Sequence, residues 1–220
     1  MTETTAAIPG TPGDIYPDSV GFGFAELIVL LNLQRGPAAT ASAHALRLQH
    51  ELEDPQLLSA GASSLVARGA ATVEPGGELS VAGPVAAVTR ALTSATRRMQ
   101  LTLLTADSGD SVLSVESEKY RILLQPRAYL SWFAMAQKPD VSAAEANFYI
   151  VRKHLGENPA GGAMIRRLED AGGRQLLIKR SGDTWAVGYS ESSAVAAPID
   201  EVSGLSDADV LDRIRAIRQD

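Results

Sequence analysis

The sequence predicts an α+β protein in which an antiparallel sheet is covered by helices on one face. Residues 57–98 alternate helical segments with Gly and Pro stops and contain one small hairpin. At Met99 the apolar period changes from helical to two, which is typical of half-buried strands. We therefore expect the sheet to contain the strands between Met99 and Met135 and the hairpin Arg174–Tyr189.

Composition excludes several classes of protein. The chain has 220 residues, enough for a substantial core, and it contains no Cys, which excludes disulfides and thiolate zinc sites. Its net charge of −6 disfavours general binding to the nucleic acid backbone. No apolar run approaches the roughly 20 residues of a membrane helix, and the first residues lack a signal-peptide pattern. We expect a cytoplasmic protein that does not bind membranes.

The domain organisation is predicted to be simple. Residues 1–13 are rich in Thr, Ala and Pro and are expected to form a flexible tail. Residues 14–220 contain no polar linker long enough to demand a boundary, so we interpret them as a single α+β domain. Two pseudo-related halves, 14–138 and 139–220, are the alternative arrangement.

The N-terminal third is predicted to be mainly helical. Three helices are expected, over Phe22–Gln34, over Ala41–Leu52, and over a segment with Leu58, Ala62, Leu65 and Val66 on one face. Gly69 suits the left-handed residue after the third helix. The Pro-Gly turn at 74–77 joins two short strands, and Pro84 then opens a fourth helix. Three helices followed by a hairpin favour a winged-helix-like N-terminal portion.

Strands and two capped helices are predicted for the rest of the chain. The strands cover Met99–Leu104, Val112–Val115, Tyr120–Leu124 and Tyr129–Met135. Ser142 and Glu145 form a capping box that opens one helix, and Ser206 caps the last helix. A short helix around Met164–Leu168 is expected before the final hairpin, which turns at 181–183.

No catalytic, cofactor or metal site is predicted. Gly21 and Gly23 could begin a dinucleotide-binding loop, but Glu26 stands where the third glycine should be. His44 and His50 are six residues apart, which does not place them on one helix face. His154 lies in a cationic helix end that disfavours a metal ion, and there is no Gly-x-Ser-x-Gly motif. We therefore expect that the protein is not an enzyme.

An aromatic cluster is the predicted partner-binding site. Its members are Tyr129, Trp132 and Phe133. In strict strand alternation one of Trp132 and Phe133 faces the core and the other faces outward. An outward ring is either covered by another element of this chain or anchors a partner protein.

The C-terminal third also has an uneven charge distribution. Basic residues dominate its first part, at Arg152, Lys153, Arg166, Arg167, Arg174, Lys179 and Arg180. Acidic residues follow, at Asp183, Glu191, Asp200, Glu201, Asp207 and Asp209. The acidic segment either folds over the basic one and neutralises it, or the basic segment steers an acidic partner.

The winged-helix portion lacks the chemistry of a DNA reader. A recognition helix needs polar and basic side chains on its exposed face. The third predicted helix offers Ser59, Ser63, Ser64 and the single base Arg68. We therefore expect no specific binding to nucleic acid.

The order of elements resembles the EspG-type chaperones of actinobacterial type VII secretion. The resemblance lies in the run Leu65–Gly69 with its hairpin, a helix ending at Arg97-Arg98, the strand Met99–Leu104, and the closing hairpin with Trp185 and its helix. It covers most of the chain, although this chain is shorter than the usual member between its halves, and no binding residue is carried over. The resemblance implies a cytosolic protein that binds helical secretion substrates without catalysis.

The sequence thus predicts a non-enzymatic, chaperone- or adaptor-like protein whose partner is another protein. A winged-helix transcriptional regulator and a small-molecule enzyme of unfamiliar kind are the alternatives. A homodimer is also left open.

Overall fold

A computed structural model describes residues 19–169, 173–191 and 200–220, so the predicted tail at 1–13 lies outside the described residues. The helices are α1 (Phe24–Leu33), α2 (Pro37–Leu46), α3 (Pro55–Ala67), α4 (Gly83–Thr93), α5 (Ala143–Glu157) and α6 (Asp207–Arg218). The strands are β1 (Ser19–Gly23), β2 (Ala71–Val73), β3 (Leu79–Val81), β4 (Arg97–Leu104), β5 (Gly109–Glu116), β6 (Arg121–Arg127), β7 (Ser131–Ala136), β8 (Gly162–Arg167), β9 (Arg174–Ser181), β10 (Thr184–Glu191) and β11 (Val202–Leu205). The α+β prediction is confirmed.

Nine strands form one antiparallel sheet in the order β1-β7-β6-β5-β4-β8-β9-β10-β11. Two meanders meet at its centre: β4 to β7 run toward one edge, and β8 to β11 run toward the other. The pair β4–β8 joins them, with Leu101 opposite Ile165. The boundary between the two meanders falls between 136 and 162, where α5 crosses. Whether the halves 14–138 and 139–220 are related stays a prediction.

The helices cover opposite faces of the two halves of the sheet, so the expectation of one covered face is wrong. Adjacent residues of a strand point to opposite faces. In β5, Leu113 packs in a core with α1 to α4, whereas its neighbour Val112 packs in a second core with α5 and α6. The same alternation separates Trp132 in the first core from Phe133, which lies outside both. Periodicity alone could not show this, because it marks apolar positions without saying which helices lie over them.

The first core is built by close approach of α1 and α3. Gly61 makes this approach possible, since a Cβ at that position would lie 2.1 Å from the Ala25 carbonyl oxygen. Leu27 and Leu30 of α1 and Leu65 of α3 are fully buried there. The hairpin β2–β3 follows α3 as predicted, so the described order is three helices and a hairpin. The winged-helix interpretation itself stays a prediction.

The second core lies under α5 and α6. Both helices begin with a complete capping box. The box of Ser142 with Glu145 was predicted from the sequence, whereas for α6 only the cap at Ser206 was predicted and the structure adds its partner Asp209. Trp185 is the largest fully buried side chain among the described residues, and its ring meets that of Phe148 edge-on with centroids 5.7 Å apart. The Trp185 Nε1–H donates to the Asp207 carboxylate at 2.6 Å, which fixes α6 over β10.

One segment predicted as helix is a central strand. The expected helix around Met164–Leu168 is wrong, because Gly162–Arg167 forms β8 between β4 and β9. Met and Arg favour helices, but burial of Ala163 and Ile165 against α5 and α6 overrides that preference. Two edge strands, β1 and β11, were not expected from the sequence.

Candidate functional site

The hairpin that joins β6 to β7 presents its apolar tip to solvent. Tyr129 is 100% exposed and Leu130 is 63% exposed. Both have left-handed backbones, with φ angles of 60° and 52°. This conformation costs residues other than Gly, Asn and Asp roughly 1–2 kcal/mol each. The backbone conformation at the tip is therefore unfavourable for Tyr and Leu.

The alternation in β7 separates the two remaining members of the predicted cluster. Trp132 is only 9% exposed and packs in the first core, whereas Phe133 is 41% exposed on the other face. Phe133 packs over Gly21 of β1, where a Cβ would lie 3.7 Å from the ring. Trp132 is therefore a core residue here, and Tyr129 and Phe133 are the accessible members.

An arginine flanks the exposed ring. The guanidinium carbon of Arg127 lies 5.7 Å from the centroid of Phe133. Arg127 also donates to the Gln125 side-chain oxygen at 2.8 Å, and Gln125 in turn donates to Asp110 at 3.0 Å. The Gln125 side-chain amide therefore lies between the Arg127 guanidinium and the Asp110 carboxylate in this row of hydrogen bonds. We call Arg127, Tyr129, Leu130 and Phe133 the hairpin-tip surface.

The hairpin-tip surface continues onto an open part of the sheet. Phe133 and Met135 lie on the face that α5 and α6 cover over β4 and β8 to β10. Met135 and its partner Leu123 are only half-buried. On this face α5 packs mainly on β4 and β8, and Leu123 of β6 lies against the second core beneath it. A partner could therefore lie beside α5 in the same layer.

The uneven charge of the C-terminal third is neutralised in part within the chain. Lys179 pairs with Glu201 at 2.7 Å, and Arg152 pairs with Asp207 at 3.1 Å. Arg174 and Arg180 instead lie over the rings of Tyr189 and Trp185, at 4.1 and 3.9 Å from the centroids. Acidic residues therefore fold against part of the basic segment, as the first of the two interpretations expects.

Arg68, the C-cap residue of α3, is engaged by other residues of this chain. Arg68 donates to both carboxylate oxygens of Glu26, at 2.8 and 3.0 Å, and to the Gly21 carbonyl oxygen at 3.1 Å. Ser64 donates to Glu26 as well, at 2.7 Å. Burial raises the pKa of the Glu26 carboxyl, but the hydrogen bonds from Arg68, Ser64 and the Gly23 amide together bring it below its usual value. Arg68 thus caps the outer side of edge strand β1, where an unpaired carbonyl would otherwise invite another strand.

The residues considered for chemistry lie apart from one another. His44 and His50 are exposed, and His154 Nε2 lies 2.9 Å from the Leu104 carbonyl oxygen. Within 19–169, 173–191 and 200–220, no group of three or more His, Asp or Glu residues is placed to hold a metal ion. A shallow cleft of about 390 Å³ is lined by Leu155, Gly156, Pro159, Arg180, Gly182 and Asp183. These lining residues include no nucleophile paired with a base.

No family model matches this chain, and no curated protein matches its sequence. None of the described helices combines the length and the apolar character needed to cross a membrane.

Sequence reasoning found two members of the hairpin-tip surface and missed the other two. The sequence predicts a strand over Tyr129–Met135, whereas β7 begins at Ser131, so Tyr129 and Leu130 lie in the turn. A signal was present: the stretch Pro126 to Ser131 joins two strands without Gly, Asn or Asp, the residues that such a turn prefers. Arg127 gave no sequence signal, because its position beside Phe133 depends on the cross-strand register.

Proposed function

We propose that this chain is a non-enzymatic, cytoplasmic protein that binds another protein through the hairpin-tip surface. Its role is that of a chaperone or adaptor. The observation that carries the proposal is the exposure of Tyr129 and Leu130 in left-handed conformations. Residues with strained backbone conformations cluster at functional sites, where the strained conformation serves the function. Two large apolar side chains gain nothing in solvent, but they gain burial against a partner.

The composition of the surface supports protein binding. Tyr and Arg are among the residues that contribute most to protein interfaces, and an exposed Phe adds apolar area. The half-buried Leu123 and Met135 extend the apolar area toward α5. This arrangement offers a small apolar centre with a charged rim.

The space beside α5 favours a helix as the bound element. On this face α5 and α6 already pack their apolar stripes on β4 and β8 to β10. Strands β6, β7 and β1 together span about 14 Å, since neighbouring strands lie about 4.8 Å apart, and a helix is about 10 Å wide. A partner helix would continue the same layer. The resemblance to EspG-type chaperones supports this choice, because it implies helical secretion substrates.

The experiment is site-specific crosslinking. A photoreactive phenylalanine analogue is placed at Tyr129, and the protein is irradiated in lysate of its native cell. The matched control places the same analogue at Val73, an apolar residue of β2 that is 59% exposed and lies outside both the hairpin-tip surface and α5. We expect a discrete crosslinked protein from position 129 that is absent from position 73.

The crosslink is then tested for dependence on the neighbouring side chains. Phe133→Ala and Leu130→Ala should each weaken it without changing the melting temperature by more than a few degrees. Equal crosslinks from positions 129 and 73, or a crosslink unaffected by both substitutions, would contradict the proposal.

Arg68 weighs against a DNA-reading role. Phosphate contacts need free cations on the recognition helix. The one arginine that ends α3 is held by Glu26, so its charge is already compensated.

A further inference from the structure

We infer that Arg127 makes the hairpin-tip surface selective for protein segments that carry a carboxylate beside their apolar side chains. This inference rests on the proposed function and names the chemistry of its partner. It concerns charge, whereas the proposed function concerns the apolar residues of the same surface.

Arg127 is held in place without being neutralised. Its guanidinium is fixed by the Gln125 oxygen at 2.8 Å and by the ring of Phe133 at 5.7 Å. None of the carboxylates in the described ranges forms a salt bridge with it. By contrast, Arg68 also lies over a ring, that of Phe22, and is paired with Glu26.

Pre-positioning decides how much such a cation contributes to binding. A free arginine loses side-chain freedom when it pairs, which offsets much of the gain from an exposed ion pair. The hydrogen bond to Gln125 and the contact with Phe133 already restrict Arg127 before a partner binds. A carboxylate of the partner therefore meets a restrained guanidinium that can donate two hydrogen bonds to it.

Charge complementarity also discriminates against the wrong partner. A segment with Lys or Arg at the same place would put two cations next to each other at the edge of an apolar contact. The same apolar stripe would then bind less well with a basic residue than with an acidic one. The chain has a net charge of −6, so the preference for acid would be local and opposite to the overall charge.

The test is a selection from a displayed library of random 16-residue peptides against the full-length protein. Peptides that bind wild type and lose binding to Phe133→Ala are kept. Among these, Asp and Glu should be enriched over Lys and Arg. The selection is repeated with Arg127→Glu, which should reverse the preference, and with Arg35→Gln as the matched control. Arg35 is an exposed arginine in the turn between α1 and α2.

Binding of the best acidic peptide is then measured by fluorescence anisotropy. Arg127→Gln should weaken it about two- to fivefold, as expected for one exposed ion pair. Arg127→Lys should weaken it less. Raising the salt concentration should bring wild type and Arg127→Gln together, because exposed charges are screened. Arg35→Gln should bind as wild type does.

The outcomes separate the inference from the proposed function. Peptides that depend on Phe133 but show no acidic preference, or that bind Arg127→Gln equally well, would overturn the charge selectivity and leave the surface in place. A library that yields no Phe133-dependent peptide would overturn both. A reversed preference with Arg127→Glu would support both.

Discussion

Trp132 and Phe133 are adjacent in β7, yet their side chains lie on opposite faces of the sheet and are 9% and 41% exposed. Trp132 faces the core formed with α1 to α4, and Phe133 faces the open part of the sheet. Truncation of each should therefore have a different consequence.

Trp132→Ala should destabilise the protein by about 3–5 kcal/mol, because it leaves a cavity in a core with few other rings. Phe133→Ala should change the free energy of unfolding by less than about 1 kcal/mol, since much of its ring is already in water. Urea denaturation followed by circular dichroism measures both. Equal losses of stability would show that Phe133 is a core residue and would remove it from the binding surface.

At the tip of the hairpin, the residues that would stabilise the fold differ from those proposed to bind a partner. Replacing Tyr129 with Asn and Leu130 with Gly supplies residues that adopt left-handed conformations at little cost. The double variant should be more stable than wild type by roughly 1 kcal/mol, after allowing for the greater freedom of Gly in the unfolded chain. It should also lose the crosslink partner and the selected peptides. A less stable double variant would indicate that the turn depends on contacts of the original side chains.

Acid should weaken the contact between α1 and α3 through Glu26. Its pKa is below the usual value of 4.5 in the folded protein, so its contribution to stability is complete above that value and is lost as pH falls through the folded pKa. Glu26→Gln removes the charge that Arg68 and Ser64 contact and should cost about 1–3 kcal/mol at neutral pH. The difference between wild type and variant should shrink steadily below pH 4.5. A difference that stays constant with pH would assign the loss to packing.

The end of α6 is fastened by a buried arginine. Arg218 is fully buried and donates to Glu116 at 2.5 Å and to Asn147 at 2.7 Å. Arg218→Ala should cost about 3–5 kcal/mol, because it leaves the Glu116 carboxylate without this partner in the interior. Arg215→Ala on the same helix is the control, since Arg215 is half exposed and pairs with the exposed Asp212. Its expected cost is below about 1 kcal/mol, and comparable losses would contradict the role assigned to Arg218.

Much of the architecture could be predicted from local signals. The capping box of Ser142 with Glu145 and the N-cap at Ser206 are predictable because they depend on residues within one helical turn. The turn at 74–77 was readable because Pro and Gly restrict the backbone. The same signals failed for β8, where the neighbours β4 and β9 decide the conformation of a segment with helical preference.

The candidate site was predictable only in part, for a related reason. Alternation in β7 correctly indicated that Trp132 and Phe133 face opposite ways. Which of them is buried depends on where α1 to α4 lie, and that is a long-range property. Arg98 illustrates the same limit. The sequence placed it at the end of a helix, whereas it is a buried residue of β4 that donates to the Ala38 carbonyl oxygen at 2.6 Å and pairs with Glu169 at 2.8 Å.

The placement of the two cores has a consequence for how the protein unfolds. Leu113 and Val112 are consecutive residues of β5, and each belongs to a different core. Loss of either helical layer would expose one side of a strand whose other side is still packed. The two layers should therefore melt together in a single cooperative transition, although their helices lie on opposite sides of the sheet. The two meanders cannot hinge about a flexible linker, because β4 and β8 pair directly at the centre of the sheet. Any relative movement of the two meanders in the folded state would therefore have to be a twisting of the shared sheet.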